Sequence, residues 1–188
     1  MQAQQRGAGR ANALKGELIV RLQEASRAPA EAVYDLLADI PSHLEWGGRR
    51  QKKNYRLLSI EAPDGTATVG TEFGSTGADA MGEFADVSVV TEATGPRLFE
   101  FVTEARLTTK KGRVVEWTNV HRYELEPRDG GCVVRYTFRT LRMSELPGAL
   151  VAFKIPGLRA IGLRLGGSNL RNGLRNLARL AEQRAGTR

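Results

Sequence analysis

The sequence predicts an α+β domain in which a curved, seven-stranded antiparallel sheet wraps around a long C-terminal helix, with two short helices near the start. Three observations carry this. One strand-like segment runs directly into helical spacing, six further strand-like segments follow in close succession, and a leucine-rich helical period closes the chain. At 188 residues, with 41% hydrophobic and 26% charged, the chain is large enough and apolar enough for one core.

The first strand starts beyond Gly16, where Leu18, Val20 and Leu22 alternate with Ile19, Arg21 and Gln23. Next, Pro29 stands where a first helical turn accepts it, and Val33, Leu36, Leu37 and Ile40 recur at helical spacing. Pro41 ends that helix, and Ser42 to Trp46 reads as a second short helix or turn stopped by Gly47 and Gly48. Six strands follow, at Asn54 to Glu61, Val69 to Gly74, Gly82 to Glu92, Arg97 to Arg106, Arg113 to Glu126 and Cys132 to Met143. The segments Pro63-Asp64-Gly65, Thr94-Gly95-Pro96, Lys110-Lys111-Gly112 and Asp129-Gly130-Gly131 supply turn chemistry between them. Short connections of this kind make an antiparallel meander, whose longer strands must curve to bury one face. Beyond Pro147 and Pro156, Leu163, Leu170, Leu174, Leu177 and Ala181 line one side of the closing helix, with Gly166 and Gly167 near its start. The domain is expected to span residues 16–184, between a disordered segment at 1–15 and a short tail at 185–188.

Lys and Arg exceed Asp and Glu, 28 to 21. Much of that excess lies at the two ends: Arg6, Arg10 and Lys15, then Arg159, Arg164, Arg171, Arg175, Arg179, Arg184 and Arg188. This placement favours a solvated helix face over a dedicated surface for nucleic acid, leaving at most a weak anionic-surface contact. Cys132 is alone, so neither an intrachain disulfide nor a paired zinc site is available, and the cytoplasm is the expected compartment. The first 13 residues lack the apolar stretch of a secretory signal, and no run of about 18 apolar residues occurs. There is no Gly-x-Ser-x-Gly elbow and no metal-ligand spacing, and the two histidines, His43 and His121, are far apart in sequence. Neither a metal nor a cofactor is expected. Gly74-Ser75-Thr76-Gly77 lacks the Lys-Ser/Thr of a phosphate loop and reads as a strand-joining turn.

The element order, the segment from Ala28 to Trp46 (APAEAVYDLLADIPSHLEW) and the segment from Val69 to Phe73 (VGTEF) resemble the START-like, helix-grip superfamily, particularly its polyketide cyclase/dehydrase and lipid-transport group. With the C-terminal helix, the resemblance covers roughly residues 16 to 184. It implies a ligand cavity between sheet and helix. Because aromatase/cyclases and lipid carriers share the fold, it leaves the activity to be read from the cavity.

Side chains of a strand alternate between its two faces. In the strand from Arg113, the parity holding Val115, Trp117, Asn119, His121, Tyr123 and Leu125 is the apolar and therefore inner one. The same test turns Cys132, Val134, Tyr136, Phe138 and Thr140 inward, with Phe99, Phe101, Thr103 and Ala105, and with Val69, Thr71 and Phe73. An aromatic wall with isolated polar groups suits a pocket for an apolar molecule, and it equally suits a filled core. The resemblance favours the pocket. The candidate ligand-binding residues are thus Trp46, Thr71, Phe73, Phe99, Phe101, Thr103, Trp117, Asn119, His121, Tyr123, Tyr136 and Phe138. Tyr34 and Trp46 lie where the superfamily opens to solvent, and either suits a gate.

Three functions fit this wall. One is a carrier or sensor of a hydrophobic lipid, polyketide-like molecule or other apolar metabolite. Another is a polyketide cyclase/aromatase, with His121 and Tyr136 as the candidate catalytic pair. His121 can orient a ligand carbonyl or hydroxyl together with Asn119, or act as a general base toward an acidic carbon. Related cyclases use an inward Arg and Tyr; Tyr123 and Tyr136 are inward here, while Arg56 and Arg106 sit where parity is unsettled. The third is a peripheral binder acting through Arg164, Arg171, Arg175 and Arg179 on the closing helix.

Overall fold

The computed structural model describes residues 17–48, 55–79, 81–144 and 156–186, with backbone alone at residue 55 and at 156–166. The proposed 1–15 lead therefore lies outside the described residues. Strand β1 spans Leu18–Ser26, helix α1 spans Ala30–Ala38, and strands β2 to β7 span Tyr55–Glu61, Glu72–Asp79, Gly82–Thr94, Leu98–Thr109, Val114–Arg128 and Gly131–Met143. Helix α2 spans Pro156–Gly186. It continues through Ala185 to Gly186, past the boundary drawn at 184.

Proline at position 29 caps α1 in an extended conformation, and the buried stripe Val33, Leu36 and Leu37 holds the helix on the core. In place of a second α-helix the chain makes a 3₁₀ turn at Ile40–Ser42 and a π-helical turn at Leu44–Gly48. The Ser42 hydroxyl donates to the Leu36 carbonyl at 2.8 Å and fastens this corner to α1. Gly48 is required there, because a Cβ would fall 2.0 Å from that of Leu57 on β2.

All seven strands form one antiparallel sheet in the order β1-β7-β6-β5-β4-β3-β2. Its register stacks the inner residues into rows that cross the strands. One row runs Val90, Phe101, His121, Phe138, Val20; its neighbour runs Phe73, Ser88, Thr103, Asn119, Thr140, Leu18; the next runs Ser75, Asp86, Ala105, Trp117, Met143. These rows give the concave face its chemistry.

The β3 strand begins later than its sequence pattern suggests. Gly70, with φ 88°, turns the chain, and the Thr71 hydroxyl accepts the Thr68 N–H at 3.0 Å, so Val69 is 63% exposed and Thr71 belongs to a turn. Gly74 to Gly77 consequently lies inside β3 and joins no strands. Its last glycine has a packing reason: a Cβ at Gly77 would meet the Phe84 ring at 2.2 Å and the Arg56 carbonyl oxygen at 2.4 Å.

Helix α2 lies against β1, α1 and the π-helical turn. It buries Leu174, Leu177, Ala178 and Ala181, while Arg171, Arg175 and Arg179 face solvent. Polar contacts fix its position: the Ser26 hydroxyl donates to the Ala178 carbonyl at 3.3 Å and the Arg27 N–H to Glu182 at 2.8 Å. Asn176 donates to the Trp46 carbonyl at 3.3 Å. The continuous core occupies the α1 end of the sheet, where Val33, Leu36 and Leu37 meet Phe99, Leu125, Val134 and Leu177.

Candidate functional site

Away from α1 the sheet and α2 do not close on each other, leaving a cavity of about 460 Å³. That volume lies within the usual range of small-molecule pockets. The described wall includes Trp46, Phe73, Phe101, Thr103, Trp117, Asn119, His121, Tyr123, Tyr136 and Phe138 from the sequence expectation. Two expected residues stand elsewhere. Thr71 is in the turn before β3, and Phe99, although on the inner parity, is fully buried in the core under Tyr34, whose ring meets it edge-on at 6.0 Å. Parity fixes a side chain's face and leaves its place along the strand open. Tyr34 likewise packs on Phe99 and beside Gly95, off the cavity, whereas Trp46 is on its wall.

The aromatic half of the wall is built by the Phe101 row. His121 stacks on Phe101 with centroids 4.5 Å apart and planes 9° from parallel, and meets Phe138 edge-on at 5.0 Å. Its Nδ1 shares a hydrogen bond of 2.9 Å with the Tyr136 hydroxyl, and Tyr136 stacks on Tyr123 at 4.6 Å. Burial lowers the His121 pKa to about 3, with the nearby His43 adding to the effect, so the imidazole is neutral at physiological pH.

His43 is the second histidine of this wall, and its place corrects the impression given by its distance in sequence. The corner after α1 brings it to Phe101, 6.0 Å between centroids, and against Trp46 at 4.6 Å. Its Nε2–H donates to the Leu37 carbonyl at 2.8 Å, which leaves Nδ1 as the bare nitrogen. Burial lowers its pKa to about 4. Two neutral imidazoles thus adjoin one phenyl ring.

A polar belt crosses the sheet beside the aromatic half. Ser88, Thr103, Asn119 and Thr140 are all buried and occupy one row. Ser88 and Thr103 share a hydrogen bond of 2.8 Å, and the Thr140 hydroxyl donates to Asn119 Oδ1 at 2.9 Å. In the adjoining row Asp86 presents a carboxyl to the cavity, its pKa raised by burial to about 6, against the opposing effect of an Arg106 backbone N–H. Met143 reaches the wall because a bulge on β7 skips Leu141, so that Asn119 pairs with Thr140 and Trp117 with Met143.

Asp86, Ser88, His43 and Met143 were not singled out from the sequence. On β4 hydrophobicity points the wrong way, since Ala85, Val87 and Val89 form the more apolar parity while Phe84, Asp86, Ser88 and Val90 face inward and Val87 is 58% exposed. An unexpected Asp among the alternating residues of a central strand was the available signal. Arg56 and Arg106, whose parity the sequence left unsettled, are exposed, and no Arg or Lys is among the described residues of the wall.

A curved antiparallel sheet closed by one long C-terminal helix over a cavity defines the helix-grip fold. Solved structures bear this out: the chain is similar to an uncharacterised protein from Rhizobium leguminosarum (TM-score 0.61, 16% identity, 91% of this chain and 97% of that one). It is also similar to a protein from Chromobacterium violaceum (0.58, 16%, 87% and 96%) and to Ara h 8.0201 (0.58, 11%, 88% and 98%). Likeness at these identities establishes the fold. A scan against family profiles and a search of curated proteins found no match. No helix among the described residues is long and apolar enough to cross a membrane.

Proposed function

We propose that the protein binds a hydrophobic small molecule in the cavity between sheet and α2, as a carrier or sensor in the cytoplasm. The observation that supports this most is the cavity of about 460 Å³ itself. A concave, mostly apolar space of this size suits a small molecule, which gains dispersion contacts with the wall when it is buried there. Trp46, Phe73, Phe101, Trp117, Tyr123, Tyr136 and Phe138 are the contact residues, with Thr103, Asn119 and His121 as the polar anchors.

The hydrogen bond between His121 and Tyr136 favours a second reading, a polyketide cyclase. In the tautomer whose Nδ1–H donates to the Tyr136 oxygen, Nε2 is the bare nitrogen and is available to take a proton from an acidic carbon. Against it stands the exposure of Arg56 and Arg106, which leaves the described wall without the inward Arg of related cyclases.

Native mass spectrometry of freshly purified protein separates the two. A co-purifying apolar molecule, released unchanged and bound one to one, is the expected result. Conversion of a linear poly-β-ketone would replace the carrier with the enzyme, and a protein that retains no molecule and takes up none from a panel of apolar ligands would remove both.

A further inference from the structure

The cavity carries a charge pattern opposite to that of the chain as a whole. The protein has a formal net charge of +7, yet among the described residues of the wall the ionisable groups are Asp79 and Asp86, with the two histidines neutral. Asp79 is committed to a turn, its Oδ1 accepting the Met81 and Gly82 N–H groups at 2.6 and 3.0 Å. Asp86 is differently placed. It stands in the middle of β4, turned inward, with Ser75 across on β3, Ala105 across on β5, and Phe84 and Ser88 beside it on its own face. Its Oδ1 is enclosed and has no hydrogen-bond partner.

The Arg106 backbone N–H compensates the carboxylate only in part, and no cation among the described residues of the wall faces it, so its charged form is costly unless something within the cavity pairs with it. The residue opposite it on β5 is the small Ala105, and Phe84, two residues away on the same face of β4, also lines the wall. Carboxylate, small neighbour and aromatic ring together form the usual surroundings of a bound ammonium group, which gains from the carboxylate by a charge-assisted hydrogen bond and from the rings by cation–π attraction. Resting on the ligand-binding reading above, we propose that the ligand is an apolar, ring-containing molecule bearing a basic amine, and that the Asp86 carboxylate is its counter-ion.

The test compares three probes of one ring size by equilibrium dialysis at mildly alkaline pH: 1-naphthylmethylamine, 1-methylnaphthalene and 1-naphthoic acid. The amine binds the wild-type protein about tenfold or more tighter than the hydrocarbon, as expected for a hydrogen bond to a charged group, and the acid binds weakest. In Asp86→Asn, which keeps the shape and removes the charge, the preference for the amine collapses, with far-UV dichroism confirming the fold. Equal binding of amine and hydrocarbon by the wild type, a preference for the acid, or an amine preference that survives in Asp86→Asn overturns the assignment while leaving the cavity as a ligand site. Failure of all three probes to bind overturns both.

Discussion

Asp86 and the two cavity histidines make opposite contributions to stability as pH changes. The Asp86 pKa is raised from 3.8 to about 6, so the folded protein holds a proton that the unfolded chain releases, and stability falls as pH rises between those values. His43 and His121 are depressed from 6.5 to about 4 and about 3, so their contribution is present above pH 6.5 and lost as pH falls toward the folded values. Denaturant melts across this range should show Asp86→Asn more stable than wild type above pH 6, by up to about 3 kcal/mol for a shift of this size, with the difference vanishing near pH 4. His121→Gln should instead flatten the acid limb. An Asp86→Asn protein no more stable than wild type at pH 8 would show that the carboxyl is already compensated. The same residue scale explains a limit of legibility: Asp86 was hidden because its neighbours Val87 and Val89, on the outer parity, look like the core.

At the scale of the element, the helices and most strand bounds could be read from period and punctuation, because Pro29, Pro41 and the glycine turns act locally. What could not be read was set by contacts between elements. Strand β3 slid toward the C-terminus because Gly70 turns the chain, a positive φ that sequence permits without requiring. The bulge at Leu141 changes which residue meets Trp117, and a bulge has no strong signature in a single sequence. Gly77 is the strand residue whose role follows from such a contact. Gly77→Val must displace Phe84 or the β2 backbone, and should destabilise the protein by about 1–3 kcal/mol, the usual cost of overpacking, as read from the urea midpoint. A neutral result would mean that the β2–β3 edge yields to accommodate the side chain.

For the whole molecule, the division of the concave face explains why the fold was easier to read than the site. Burying one face of a long meander against one amphipathic helix leaves few architectures, and the resemblance of Ala28 to Trp46 selects among them. Whether that face is filled depends on how far α1 reaches along it. The α1 end is packed around Phe99, Leu125 and Leu177, and the boundary of the cavity runs through the Phe99 row itself, whose Tyr123 and Tyr136 stand on the wall while Phe99 does not. Alternation assigned both rows to the same face and so treated Phe99 and Phe101 alike. Ten of the twelve expected wall residues surround the cavity, eight of them because alternation gives the inner faces of β5, β6 and β7, and the belt's β4 member, Ser88, is missed because the alternation of β4 points the wrong way.

The central claim is that this cavity binds a ligand, and filling it tests the claim most directly. Ala105 lies on the wall between Asp86 and Trp117, so Ala105→Phe places a ring in the space while leaving α1, the Phe99 core and the α2 contacts as they are. Titration of N-phenyl-1-naphthylamine, an uncharged apolar dye whose emission rises in apolar surroundings, measures the outcome. The wild-type protein should bind one dye with saturable enhancement, and Ala105→Phe, with melting temperature retained, should bind it about tenfold more weakly or not at all. Dye binding that is equal in the two proteins, or no binding by the wild type, would contradict the assignment of the cavity as the functional site.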